Sequence, residues 1–248
     1  MSAAAAAFVA APALALGSFL NVVVTRVPER RSLLRPPSSC GSCGTRILWR
    51  DNVPVLSWVL LRGHCRHCGS GISAVYPLVE VATAALVVAC VLAFRVPAEA
   101  ALAAAFCAVL LALSVMAAQR RIVPNRIVLP AAGIVLVAHT AVEPSLEWLV
   151  WSVVAAGALL LAVLAYPEGL GIGDVKLALL LGAALGATVT VAVAIGLLAA
   201  LLPTVILVAR HGAAARKLGV PLVPCLSLGA VVALFAGRSI LDAYVGLF

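Results

Sequence analysis

Eight runs of this chain are nearly free of charge and long enough that water is the wrong solvent for them. They cover residues 3–25, 76–94, 98–118, 126–142, 146–166, 174–186, 188–209 and 222–248. A helix needs about 20 apolar residues to cross a bilayer core. Inside hydrocarbon the backbone must satisfy its own hydrogen bonds, which leaves helices or closed barrels. Only the sixth run is clearly short of that length. The whole chain is 65 % hydrophobic and 10 % charged with a mean hydropathy of +1.20, outside the range of water-soluble domains. The expected fold is all-α, a polytopic membrane protein with about eight transmembrane helices and one inserted polar segment. The first run reads as a retained span, because its basic flank (Arg26, Arg30, Arg31) follows it rather than precedes it.

Charge sets the orientation. The net charge is +8, and the cations gather on alternate loops. Arg26, Arg30, Arg31, Arg35, Arg46, Arg50, Arg62 and Arg66 follow the first run, Arg120, Arg121 and Arg126 flank the gap after the third, and Arg210, Arg216 and Lys217 follow the seventh. The loops between are poor in cations. The basic loops therefore face the cytoplasm, and eight spans place both termini outside. Arginines in this juxtamembrane pattern set topology and lie against membrane lipid; they do not call for nucleic acid.

Within the long polar stretch lie two knuckles, Cys40-Gly-Ser-Cys43 and Cys65-Arg-His-Cys68. Each C-x-x-C turn aims two sulfurs at one point, and two such turns complete a tetrahedral zinc site. Two disulfides or four unrelated thiols are the competing readings, and a cytoplasmic loop disfavours the disulfides. Four thiolates leave no position open for water, so the metal is structural. Such a site supplies on the order of 10–16 kcal/mol to a small fold. His64 or His67 could replace one sulfur. The apolar stretch 53–61 between the knuckles is too short to span, and is expected to pack on the zinc module or lie at the membrane surface. Cys90, Cys107 and Cys225 fall within apolar runs and read as small apolar residues.

Ionisable groups inside a membrane are costly and mark function by default. Arg238 and Asp242, four apart on the last run, read as a helix-face ion pair. Asp174 follows Gly169-Leu170-Gly171-Ile172-Gly173, where three glycines interrupt a helix and let backbones approach. It is a candidate site carboxylate, with helix capping as the plainer alternative. Lys176 is expected to reach for the headgroups. Glu80, early in the second run, pairs with a loop arginine or belongs to a site. Asn21 serves as helix–helix glue or as a ligand.

Taken in order, these pieces resemble the type IV prepilin peptidases, which are intramembrane aspartyl proteases. The resemblance rests on Gly17-Ser18-Phe19-Leu20-Asn21 with Arg26-Val27-Pro28, the four knuckle cysteines, Asp51-Asn52-Val53-Pro54, Tyr76-Pro77-Leu78-Val79-Glu80, Gly171-Ile172-Gly173-Asp174, and Val220-Pro221-Leu222-Val223-Pro224. It covers nearly the whole chain. It implies a first transmembrane helix over 1–26, a cytoplasmic zinc module over 27–75 and a catalytic bundle over 76–248. It implies a prepilin or pseudopilin helix as substrate, cut at the cytoplasmic face of a bacterial inner membrane for type IV pili or type II secretion. It also implies a second activity, methylation of the new amino terminus with S-adenosylmethionine as donor. Glu80, Asn21 and Lys176 are the candidates for that step or for holding substrate.

One element of the resemblance is missing. An aspartyl protease needs two carboxylates, one to activate water and one, protonated, to polarise the scissile carbonyl. The family's first aspartate stands seven residues before the proline of a motif read here as Ile122-Val123-Pro124-Asn125. That position is Ala117, and Met116, Ala118 and Gln119 offer no substitute. Asp174 is left without its partner, and cleavage is expected to fail. Ala117 reads as a substitution that traps uncleaved substrate. A natural prepilin-binding pseudoenzyme and a homologue that only methylates are the alternatives.

Overall fold

The computed structural model describes residues 3–166, 170–211 and 221–246. Gly169, Arg216, Lys217 and Val220, named above, lie outside the described residues. Among those described, the helices are α1 (Ala3–Arg26), the short α2 (Leu56–Leu60), α3 (Val75–Ala93), α4 (Pro97–Arg120), α5 (Asn125–Val142), α6 (Glu147–Ala165), α7 (Ile172–Leu185), α8 (Val189–His211) and α9 (Leu222–Val245). Two isolated β-bridges in the polar segment are the remaining ladder contacts. The protein is all-α, and it is a multi-pass membrane protein.

Seven stretches are long and apolar enough to cross a membrane, against the eight expected. The difference lies at α7, which has 14 residues. Only the 3₁₀ turn Gly186–Thr188 separates it from α8, so the two run as one apolar segment of 39 residues. Proline starts several helices. Pro97 opens α4, Pro124 precedes α5 and Pro221 precedes α9, positions where a missing N–H costs nothing.

The chain divides into two compact units, 1–112 and 113–248. In the first, α1 and α3 run antiparallel in close contact. Gly17 faces Glu80, and a Cβ on Gly17 would sit 2.6 Å from the Glu80 Cα. One turn on, the Asn21 side-chain amide donates to the Tyr76 carbonyl at 3.1 Å. Small residues that let backbones approach, and polar side chains that bond across helices, are what holds helices together in lipid. Asn21 makes such a bond between α1 and α3.

In the second unit α7 is the hub. From Leu177 to Leu185 every residue except Leu179 is buried, because α5, α6 and α9 all pack on it. Gly182 lies against the backbone of Trp151 and Ser152, and the Ser152 hydroxyl donates to the Leu179 carbonyl at 2.8 Å. The α8–α9 pair uses the same device, with Gly229 against the Ala192 carbonyl and Gly196 against Leu226. The expected Arg238–Asp242 ion pair is not made: salt bridges among the described residues are confined to Arg31–Glu29 and Arg66–Asp51. Both side chains are exposed, where pairing returns little against the entropy of ordering two long side chains.

Candidate metal centre and membrane carboxylate

The cysteine module is built from one turn used twice. In the first knuckle the Cys40 N–H bonds to the Thr45 carbonyl and the Gly44 N–H returns to Cys40; in the second, Cys65 and Gly69 do the same with Ser70 and Cys65. Gly44 and Gly69 take the left-handed conformation, with φ of 71° and 69°, which glycine adopts without a Cβ clash. An antiparallel bridge closes each turn, Ser39 with Arg46 and His64 with Gly71. The four sulfurs all lie within 4.8 Å of one another, and Cys40 Sγ is 3.8 Å from Cys68 Sγ. Zinc–sulfur bonds of about 2.3 Å in a tetrahedron place sulfurs about 3.8 Å apart. This donor set therefore fits zinc. Neither His64 nor His67 belongs to the cluster, and the His64 Nδ1 lies 2.6 Å from the Arg62 carbonyl instead.

Hydrogen bonds favour thiolate at two of the four sulfurs, Cys40 and Cys68, while burial, together with the neighbouring sulfurs of Cys40 and Cys68, pushes the Cys65 thiol up. Backbone N–H groups of its own turn, that of Cys43 first, and the Ser70 hydroxyl bring the Cys40 thiol down to about 5. The Ser70 hydroxyl and N–H also lower the Cys68 thiol. Three contacts stiffen the segment between the knuckles. Arg66 grips Asp51 with both Nε and Nη2, the closest approach being 2.7 Å, and holds that carboxyl below the usual range. Trp58 packs on Gly63 and donates from Nε1 to the Ile72 carbonyl. The Ser57 hydroxyl accepts from the Val53 N–H and donates to the Arg50 carbonyl.

Glu80 does not pair with an arginine. It is buried in α3, and its Oε2 accepts the Val55 N–H at 2.7 Å. Val55 has φ of 59°, an unusual state for a β-branched residue, and the carboxylate secures it. The polar segment is thereby fastened to α3 at its middle as well as at its ends. At the near end the buried Arg26 guanidinium donates to the carbonyls of Ser32, Leu33 and Pro36.

In the second unit, Asp174 occupies the third position of α7. Its Oδ2 accepts the Gly171 N–H at 3.0 Å, and its own N–H returns to the Gly171 carbonyl. This is half of a capping box, with negative charge at the favoured end of the helix dipole. Oδ1 makes no hydrogen bond among the described residues, so one oxygen of this buried carboxyl is not used by the cap. The two glycines differ. A Cβ at Gly171 would make only ordinary contacts, with the Asp174 carboxylate at 3.7 Å and the Gly173 nitrogen at 3.9 Å, whereas at Gly173 it would meet Val123 Cγ2 at 2.9 Å. Gly173 is thus demanded by the link leaving α4.

That link carries Ala117's position to α7. Ala117 is buried in the last turn of α4, and its carbonyl accepts the Arg121 N–H at 2.9 Å. Arg121 takes φ of 55° and ends the helix. Val123 then packs on Gly173, and Asn125, the first residue of α5, accepts from Lys176 Nζ at 2.7 Å. Lys176 is fixed to a neighbouring helix rather than reaching outward. Sequence alone gives Arg66 a share in the basic loops and Val123 and Asn125 a place in the motif around Pro124, but no signal for the contacts they make; Trp58 carries none beyond its place in the apolar stretch 53–61. Cys90 and Cys107 lie fully buried with their sulfurs 4.0 Å apart.

Two family models match the chain. One, described as the bacterial Peptidase A24 N-terminal domain, covers residues 12–94; the other, the type IV leader peptidase family, covers residues 104–209. Relatives named prepilin leader peptidase/N-methyltransferase include a Bacillus subtilis protein 32 % identical, with 94 % of each chain aligned. One from Aeromonas hydrophila is 33 % identical over 95 % of this chain and 92 % of its own. One from Myxococcus xanthus is 37 % identical over 68 % of this chain and about half, 53 %, of its own length. No solved structure matches.

Proposed function

The chain belongs to the type IV leader peptidase family, and on that footing we propose that it binds prepilin-like substrates as a leader peptidase whose cleavage step is disabled. The observation that carries the reading is Asp174, a buried carboxylate at the head of α7, one residue after Gly173, on which Val123 of the link from position 117 packs. An aspartate at 117 would stand in the last turn of α4, joined to Asp174 by a short, tightly held connection. One carboxylate would then act as base on water and its neighbour as acid toward the peptide carbonyl. With alanine there, the second proton-handling group is gone. Loss of one member of a catalytic unit costs on the order of 10⁴-fold in rate.

The substrate is a prepilin or pseudopilin helix with a basic leader, met at the cytoplasmic face of a bacterial inner membrane. The alternating basic loops support that orientation. The labour divides between the first helix (1–26), the cysteine module (27–75) and the bundle (76–248). Cys40, Cys43, Cys65 and Cys68 would hold zinc, which supplies rigidity and no chemistry. N-methyltransferase is the second activity in the relatives' name; in this chain methylation would draw on S-adenosylmethionine as donor, and it does not need the aspartate pair. Glu80, Asn21 and Lys176 are its nominees, although each already holds a neighbouring segment.

The test is a paired assay on a peptide spanning a leader junction, with the chain as it stands and with Ala117→Asp. Binding without cleavage, converted to cleavage by the substitution, is the expected result. No cleavage with either form would sink the dyad. A second reading, a binding or methylating protein that never cleaves, is favoured by the same alanine; it predicts that Ala117→Asp binds substrate and leaves it whole.

A further inference from the structure

We propose that α2 and the adjoining Trp49 form an interfacial anchor that seats the cysteine module on an anionic phospholipid surface. On α2 the positions Leu56, Val59 and Leu60 share one helical face, and all three point away from the fold, with exposures of 54, 56 and 71 %. Trp49, in the 3₁₀ turn just before, is 84 % exposed. The opposite side of α2 is committed inward through Ser57 and Trp58. Among the described residues nothing covers this apolar stripe.

Two observations choose the partner. The first is position. The Val55 N–H, at the entrance to α2, is fixed to Glu80, and Glu80 lies five residues inside α3, about 7.5 Å along the axis. Helix α3 is long and apolar enough to span, so α2 is held beside the first turns of a membrane helix. It cannot stand off in water. A short helix at that level buries its apolar face at the boundary of headgroups and acyl chains, where tryptophan also concentrates.

The second is charge. Segment 27–75 carries seven arginines against two acids, and both acids are already engaged, Glu29 by Arg31 and Asp51 by Arg66. Arg46, Arg50 and Arg62, which flank the stripe, are exposed and make no salt bridge among the described residues. Cations beside a buried apolar face select lipids with negative headgroups, about fivefold for each arginine near the surface. Zwitterionic lipid would satisfy the stripe but not these side chains.

The experiment reads lipid contact directly and involves no cleavage, so it stands or falls apart from the peptidase reading. The full chain is reconstituted with a photoreactive benzophenone side chain at position 60, and in a second variant at position 49. The vesicles are phosphatidylcholine alone or with roughly a third phosphatidylglycerol, a typical anionic host. Metal content reports whether the module is folded. Phospholipid adducts at both positions are expected, enriched several-fold in phosphatidylglycerol over its share, with the enrichment falling when Arg50 and Arg62 become glutamine. Absence of lipid adducts, while a benzophenone at the exposed α6 position Leu161 gives them, overturns the anchor. So does labelling of added prepilin peptide in place of lipid, which would make the stripe a substrate surface. Adducts in proportion to vesicle composition overturn the selection by charge.

Discussion

The cysteine module and the head of α7 both hold polar groups that the rest of this chain would exclude, and they do so by opposite means. The module is local and redundant. Its two knuckles repeat one backbone pattern, and each turn is closed by backbone bonds within five positions of its first cysteine. The head of α7 is sparse and non-local. Asp174 is oriented by Gly171, three residues away, but the ground it stands on is set by Val123 and Asn125, some fifty residues earlier. Local redundancy makes the first site robust to change outside it and fragile within it. The second should respond to substitutions that never touch the carboxylate.

Five substitutions, the two glycine changes taken as a pair, probe that contrast. Cys40→Ser should have the largest effect. Removing one of four thiolates should abolish metal binding and loosen the knuckles, while α7 stays intact. Metal analysis and amide exchange of the two regions would check it, and disorder spreading to α7 would dissolve the distinction. Next, Ala117→Asp should raise leader cleavage by on the order of 10⁴-fold, read as product per enzyme in vesicles. Third, Gly173→Ala should displace Val123 and destabilise the second unit by about 1–3 kcal/mol. Gly171→Ala, with open room and extended backbone, should be close to neutral. Thermal unfolding of the two variants gives the comparison, and equal effects would count against the packing described.

The smallest effect belongs to Asp51→Asn. Arg66 lowers the Asp51 carboxyl, so the contact contributes stability above the ordinary carboxylate value of about 3.9, and that contribution is lost as pH falls through the lowered value. Amide exchange in the module should be modestly faster in the variant at neutral pH, with the difference shrinking under acid. A difference that grows with acid would contradict the assignment.

The contrast also explains what the chain discloses before folding. The knuckles were legible because a local motif, C-x-x-C-G written twice, carries its own geometry. The spans were legible because the solvent dictates them. Glu80 was not: its partner is the backbone of Val55, whose left-handed state no residue type announces. Lys176 and Asn125 look like two unrelated polar residues until α5 and α7 are side by side. The alanine at 117 is visible only against an expected pattern, since nothing about a buried alanine in a membrane helix is unusual.

The shortness of α7 sets up a mismatch. Eleven residues separate Asp174 from Leu185, about 16 Å of helix. The turn that follows lies against Glu147 and Trp148, at the start of α6. A bilayer core is about 30 Å thick, so α7 by itself does not cross it. Its head lies level with Val123 and Asn125, in the link flanked by Arg120, Arg121 and Arg126, and such cations keep to the headgroups. Short helices of this kind are met by lipid that thins around them.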